Sequence, residues 1–298
     1  MCSLTSERLN TMFELRKILF PVDFSERSIA AAPHVAAMAQ RFNARVTVLH
    51  VMELPPPWYG DLASAQLEAL VDLDELKRER QVMLDAWLPG AFGNLEVERL
   101  VWDGDPAHAI TDLARDQNVD LIMMPTHGHG LFRRLLLGSV TAKVLHDAAC
   151  PVWTDVHGER PVPPASFLSI LCAVDLRPES VPSIQWAAGY AAFCATELVL
   201  MHAIPAIAGP SRPEEASFRR YLIDSAREYI AELQRQAGTR AKVCIDGGKI
   251  AESVRGAAMQ HAAGLVVIGR GSIDETLGGL RTNAYSIIRE SPCPVVRI

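Results

Sequence analysis

No uninterrupted apolar run in the 298 residues reaches the roughly 18 to 20 needed to cross a bilayer, so no membrane-spanning helix is expected. Lysine and arginine form no cluster. With a net charge of -6 and a pI near 5.9, the chain carries no electrostatic footprint for nucleic acid or an anionic membrane. The six cysteines (Cys2, Cys150, Cys172, Cys194, Cys244 and Cys293) include no C-x-x-C pair. Most have apolar neighbours, which predicts reduced core thiols and a cytoplasmic protein rather than a disulfide frame. The first residues, Met1 to Phe13, contain Glu7 and no long apolar core, so a signal peptide is not expected.

What the chain does have is apolar material for two cores: 49% of its residues are hydrophobic and only 21% charged, a composition of folded domains. It is also a repeat. Lys17-Ile18-Leu19-Phe20-Pro21-Val22-Asp23 answers to Ser169-Ile170-Leu171-Cys172-Ala173-Val174-Asp175, and Cys150-Pro151-Val152 to Cys293-Pro294-Val295. A period of this size is a domain duplication rather than a solenoid. Domains are expected over residues 14–156 and 166–298. The linker between them, His157 to Ala165, carries Pro161, Pro163 and Pro164 and should be extended and semi-rigid.

Within each half, strand-like apolar runs alternate with amphipathic helical segments. The first-half strands are expected at Lys17–Asp23, Arg45–Met52, Leu95–Val101, Asp120–Pro125 and Pro151–Asp155, several of them nearly continuous in apolar character, as strands covered on both faces must be. Ile110, Leu113 and Ala114 recur at helical spacing, as do Ala284, Ile287 and Ile288 in the second half. Leu67 to Trp87 predicts a longer helix whose charges (Glu75, Lys77, Arg78, Glu79, Arg80) form a solvated face. Pro33 should kink the first helix or delay its start. Alternating β and α elements imply a parallel, doubly wound sheet in each half, with ligands beyond the carboxyl ends of the strands where strand order reverses. Chemistry is therefore sought after Asp23, after Val51 and after Met124.

After the fourth strand, Pro125-Thr126-His127-Gly128 leads through nine residues to Gly138-Ser139-Val140. Glycines let a backbone approach phosphate oxygens closely, and the first N–H groups of a helix favour an anion. The spacing alone leaves open a ligand-free glycine loop followed by a helix cap. The His127-x-His129 pair has no Cys or carboxylate close by in sequence and reads as loop histidines rather than a metal site. Arg133 and Arg134 either reach phosphates or lie in solvent.

This stretch resembles the nucleotide-binding signature of the universal stress protein family, G-x-x-G-x9-G-[ST], with Pro125 in place of the first glycine. The resemblance extends over both halves. It implies two tandem five-stranded Rossmann-like domains with strand order 3-2-1-4-5, related by a pseudo-two-fold. It also implies that ATP or a related adenine nucleotide binds the first domain, with Mg²⁺ accompanying the phosphates. Asp23 then stands near adenine and ribose, Val51 offers backbone groups to the base edge, and Pro21, Val22 and Met124 line the base. Pro125, His127, Gly128, Gly138, Ser139 and Val140 complete the site. The second half reads as degenerate. Counting back from Cys293, Arg281 stands at the place of Gly138 and Thr282 at that of Ser139, and the loop carries Asp274 and Glu275, which repel phosphates. The implied function is stress sensing or regulation. A slow ATPase or adenylyl transferase, and a nucleotide-free interaction module, are the alternatives; no Walker A motif is present. The terminal strands, Pro151-Val152-Trp153-Thr154 and Pro294-Val295-Val296-Arg297, are bare apolar edges. They are expected to pair antiparallel with each other, as the same strand does across the dimer in single-domain relatives, with further homodimerisation left open.

Overall fold

The structure is a computed structural model that describes residues 13–53, 72–126, 137–155, 168–204, 213–270 and 279–298. The linker, Leu67 to Val71, His127, Gly128, His129, Arg133, Arg134, Asp274 and Glu275 lie outside the described residues. The described elements are β1 (Lys17–Val22), α1 (Glu26–Phe42), β2 (Arg45–Met52), α2 (Leu73–Ala86), β3 (Val97–Asp103), α3 (Pro106–Asp116), β4 (Leu121–Pro125), α4 (Ser139–Asp147) and β5 (Val152–Asp155), followed by β6 (Ser169–Ala173), α5 (Val181–Cys194), β7 (Glu197–Ile204), α6 (Pro213–Ala237), β8 (Lys242–Gly247), α7 (Ile250–Gln260), β9 (Ala263–Ile268), α8 (Gly279–Glu290) and β10 (Val295–Arg297). The first repeat orders its strands β3-β2-β1-β4-β5 and the second β8-β7-β6-β9-β10. Pairing is parallel between β1 and both β2 and β4, and between β6 and both β7 and β9. Each chain segment crosses from strand to helix to strand, which produces this parallel, doubly wound arrangement.

Two compact units divide the chain, Leu15–Val152 and a second that takes Trp153–Ile298 together with Phe13 and Glu14. The core of the first unit is the central strands: Ile18, Leu19 and Phe20 on β1, Val46, Val48 and Leu49 on β2, and Leu121 and Ile122 on β4 are all fully buried. Helix α1 is capped by Ser25, whose side chain accepts from the Ser28 N–H, and ends at Asn43 in the left-handed region. It starts at Glu26 and runs through Pro33, so of the two alternatives the late start is excluded and Pro33 lies inside the helix. The Ser25 cap and the buried stripe of Ala31, Ala32, Val35, Met38 and Ala39 outweigh the donor lost at Pro33. Strand β3 begins two residues later than expected, because its pairing with β2 starts at Val46 opposite Val97. On α2, Glu75, Arg78 and Glu79 are exposed as expected, while Lys77 reaches Asp103 on β3 at 3.2 Å.

In the second unit the fully buried residues are Ile170, Leu171 and Cys172 on β6, Val199 and Leu200 on β7, and Leu265, Val266 and Val267 on β9. Burial pushes the Cys172 thiol up to about 12 and that of Cys293 to about 11. Both stay protonated and unreactive, as reduced core thiols do. Trp153–Asp155 of β5 lie beside β10 in this unit, where the Thr154 hydroxyl donates to the Val295 carbonyl at 3.0 Å. Phe13 meets Trp186 edge-on and Tyr190 at a tilt, and Trp153 meets Tyr190. A Cβ at Gly189 would stand 2.7 Å from the Phe13 ring, so that helix position admits Phe13 only as glycine.

Candidate nucleotide site and its counterpart

In the first unit the strand order turns about the β1–β4 pair: the chain leaves β1 toward β2 on one side and later places β4 on the other. Such a reversal opens a crevice at the carboxyl ends of the two strands, and the residues that follow β1 and β4 line its mouth. β1 ends in Pro21 and Val22, both buried, and the half-buried Asp23 follows. One carboxylate oxygen of Asp23, Oδ1, accepts from the Ser25 N–H at 3.0 Å and from the Ser28 hydroxyl at 2.7 Å. Charge-assisted bonds of this kind hold the loop firmly. The residue between, Phe24, is left-handed at φ 61°, a conformation that costs a side-chain-bearing residue roughly 1–2 kcal/mol. Asp23 therefore fixes the loop rather than capping α1, which Ser25 does.

At the end of β4, Met124 is buried and Pro125 half-buried. The Pro125 carbonyl accepts from the Thr141 hydroxyl at 3.1 Å, and the carbonyl of the buried Thr126 accepts from the Gly138 N–H at 2.9 Å. These two bonds close the loop onto the start of α4. Gly138 is the N-cap at φ -59°, ψ 145° and makes no side-chain cap bond. The Gly138 N–H is committed to the Thr126 carbonyl. The first helical bond of α4 is from Ala142 back to Gly138, so no described residue accepts from the N–H groups of Ser139, Val140 or Thr141. Ser139 is exposed and Val140 half-buried. Three aligned donors at a positive helix end are what an anionic oxygen needs.

Val51 sits half-buried near the end of β2, opposite Trp102 of β3. The neighbour that sequence reasoning passed over is His50. Its Nδ1 lies 2.9 Å from the Val22 carbonyl. A carbonyl oxygen only accepts, so Nδ1 carries the proton and the neutral ring presents Nε2 as an acceptor. Phe24 packs against the ring at 4.4 Å between centroids. Burial pushes the His50 imidazole below its ordinary value; the Val22 carbonyl opposes this, Arg80 adds to it and Asp23 opposes it. The available signal was the recurrence of His50 and His202 at one place in the two repeats.

The second unit repeats the first-strand half of this geometry. Asp175 Oδ1 accepts from the Arg177 N–H at 3.2 Å and from the Ser180 hydroxyl at 2.6 Å. His202 Nδ1 stands 2.8 Å from the Val174 carbonyl, and Leu176 is left-handed at φ 64°. The fourth-strand half differs. Backbone bonds from Ile122 to Pro151 and from Val266 to Pro294 put β4 and β9 in register, and the second span is one residue shorter. Gly269 therefore stands at the place of Pro125. Helix α8 begins at Gly279, so Thr282, the counterpart of Ser139, lies inside the first turn rather than at its start.

Two α/β repeats, each a parallel sheet wound in both directions from its first strand, define the class of fold. The universal stress protein family model matches residues 14–155 and 166–298, and the chain belongs to that family. Among its relatives, a universal stress protein of Methanocaldococcus jannaschii is 31% identical over 142 residues, 46% of this chain and 79% of that protein. One from Thermus aquaticus is 35% identical over 137 residues, 46% of this chain and 96% of that one. Among solved structures, a universal stress protein from Archaeoglobus fulgidus covers 96% of this chain and 98% of its own, with TM-score 0.68 at 23% identity, a likeness that speaks to the tandem fold.

Proposed function

We propose that the first repeat binds ATP or a related adenine nucleotide, and that the protein acts in the cytoplasm as a nucleotide-responsive regulator in stress physiology. The observation that carries this reading is the start of α4, where the N–H groups of Ser139, Val140 and Thr141 have no described acceptor, next to a loop closed by Thr126. The triphosphate lies along those donors. Asp23 and the backbone near Val51 face the ribose and base, with Pro21, Val22 and Met124 as apolar lining. Pro125 replaces a glycine N–H, so phosphate contact shifts toward the α4 end, with His127 and Gly128 in the intervening loop. Mg²⁺ in this reading travels with the nucleotide rather than occupying a protein cage; among the described residues no group of three or more His, Cys, Asp or Glu side chains is placed to hold a metal. Titration calorimetry of the full chain with ATP, with and without Mg²⁺, tests the reading. Saturable binding that Gly138→Arg removes supports it, and absence of binding leaves the interaction-module alternative in its place.

A further inference from the structure

Helix α5 carries a glycine in its interior, Gly189, where glycine disfavours a helix relative to alanine. The duplication supplies a control for it. Asp23 and Asp175, Ser28 and Ser180, and the left-handed residues Asn43 and Ala195 that end α1 and α5 stand at one constant spacing. At that spacing Ala37 of α1 answers to Gly189, and His34 and Met38 answer to Trp186 and Tyr190. The second repeat alone has a glycine beside two aromatic rings at this place.

What the glycine admits is Phe13. A Cβ at position 189 would stand 2.7 Å from Phe13 Cδ2 and 3.3 Å from its Cβ and Cγ, so the three nearest atoms all belong to that one side chain. Trp186 and Tyr190, one helical turn apart, stack at 5.2 Å between centroids with 21° between planes. Phe13 stands edge-on to Trp186 at 5.2 Å and tilted against Tyr190 at 5.5 Å, and Trp153 of β5 meets Tyr190 edge-on at 6.0 Å. Edge-to-face contact sets the positive rim of one ring on the negative face of another. Tyr190 is fully buried, while Phe13 and Trp186 are half-buried. Phe13 lies outside every strand and helix, yet it packs with the second unit, whereas Leu15, two residues on, begins the first.

We infer that the Trp186–Gly189–Tyr190 face of α5 is a docking socket for an aromatic side chain, peculiar to the second repeat, and that its occupant is the chain's own N-terminal segment, plugged in through Phe13. The ring is a ligand on a tether. Tethering holds it at an effective concentration on the order of millimolar, so a socket with a single aromatic anchor stays filled. With the plug withdrawn, the faces of Trp186 and Tyr190 form an apolar patch open to a second aromatic peptide.

The test uses the full chain. Phe13→Ala removes the plug from a segment without regular structure and should lower the melting temperature. Gly189→Ala should lower it as well while Phe13 is present, because the new methyl collides with the ring. In the Phe13→Ala chain the same substitution should raise it by about 2–4 °C, the unopposed gain of alanine over glycine in a helix. A synthetic peptide of residues 8–14 at millimolar concentration should restore part of the loss in the Phe13→Ala chain. It should leave the wild-type chain unmoved, and the same peptide with Phe13→Ala should act on neither. Gly189→Ala shifts of one sign in both backgrounds overturn the fit of glycine to ring. A peptide that fails to stabilise the Phe13→Ala chain, or stabilises the wild-type chain equally, overturns the docking site and leaves Phe13 as ordinary packing.

Discussion

The two repeats began as one unit and have drifted at opposite ends of the same loop. The first holds Pro125 where the second holds Gly269, and Gly138 where the second holds Arg281. The second of these exchanges falls at the helix that follows the loop, which begins at different places in the two repeats. In the first repeat the loop is tied by Gly138 to Thr126, and α4 starts at Ser139 with its donors outward. In the second, Arg270 stands in the place of Thr126, and α8 begins three residues earlier. The other half of the crevice, built on Asp23 and His50 or Asp175 and His202, did not drift. The helix that follows the loop is where the two repeats differ. A clamp made of side chains on rigid strand ends survives the same drift.

The largest expected effect breaks this comparison directly. Gly138→Arg gives the first repeat the second repeat's residue. The backbone there is in a region open to any side chain, so folding should be unaffected, while calorimetry should show ATP affinity falling by about 100-fold or more, the loss of two or more charge-assisted bonds. Stoichiometry sharpens it: a single ATP per chain is expected, and a clean value of two would mean that the helix start does not decide the difference. Next in size, Asp23→Ala should weaken ATP by about 10-fold through the freed loop and the lost carboxylate, and Asp175→Ala should leave ATP affinity where it was.

Smaller still is a test of the shared clamp. Ser28→Ala and Ser180→Ala each delete a hydroxyl bond to a carboxylate and should each cost about 1–2 kcal/mol in denaturant unfolding. Unequal costs would show that the clamps, alike in geometry, are unlike in energy. The smallest effect concerns pH. The folded-state value of His50 lies below its ordinary one, chiefly through burial. The folded chain thus binds fewer protons there than the unfolded chain, and stability rises with pH across that window. The His50 contribution is complete above the ordinary histidine value of about 6.5 and is lost as pH falls through the folded value. A urea midpoint that declines on acidification below that point, with a shallower decline in His50→Phe, is the expected result; identical slopes would remove His50 from the account.

Much of this was legible in the chain. The duplication, the parallel order and the two α/β units followed from the paired strand runs and their apolar continuity, since a strand buried on both faces has no other composition open to it. The Gly138-Ser139 helix start was legible because glycine and serine are residues that commonly open a helix. What the sequence could not supply were contacts between residues far apart along it. His50 and Val22 are 28 residues apart, and only the parallel pairing of β1 with β2 brings that ring to that carbonyl. The Thr126–Gly138 bond joins residues 12 apart across the loop. Of the two alternatives at Pro33, the late start fell, because burial of the α1 stripe carries the helix through the proline. The sequence by itself determined the elements and their order, because periodicity and composition act locally. The tertiary structure alone decided which donors and acceptors remain unspent, because each backbone and side-chain polar group is committed only when its partner, often from a distant strand, has been brought alongside.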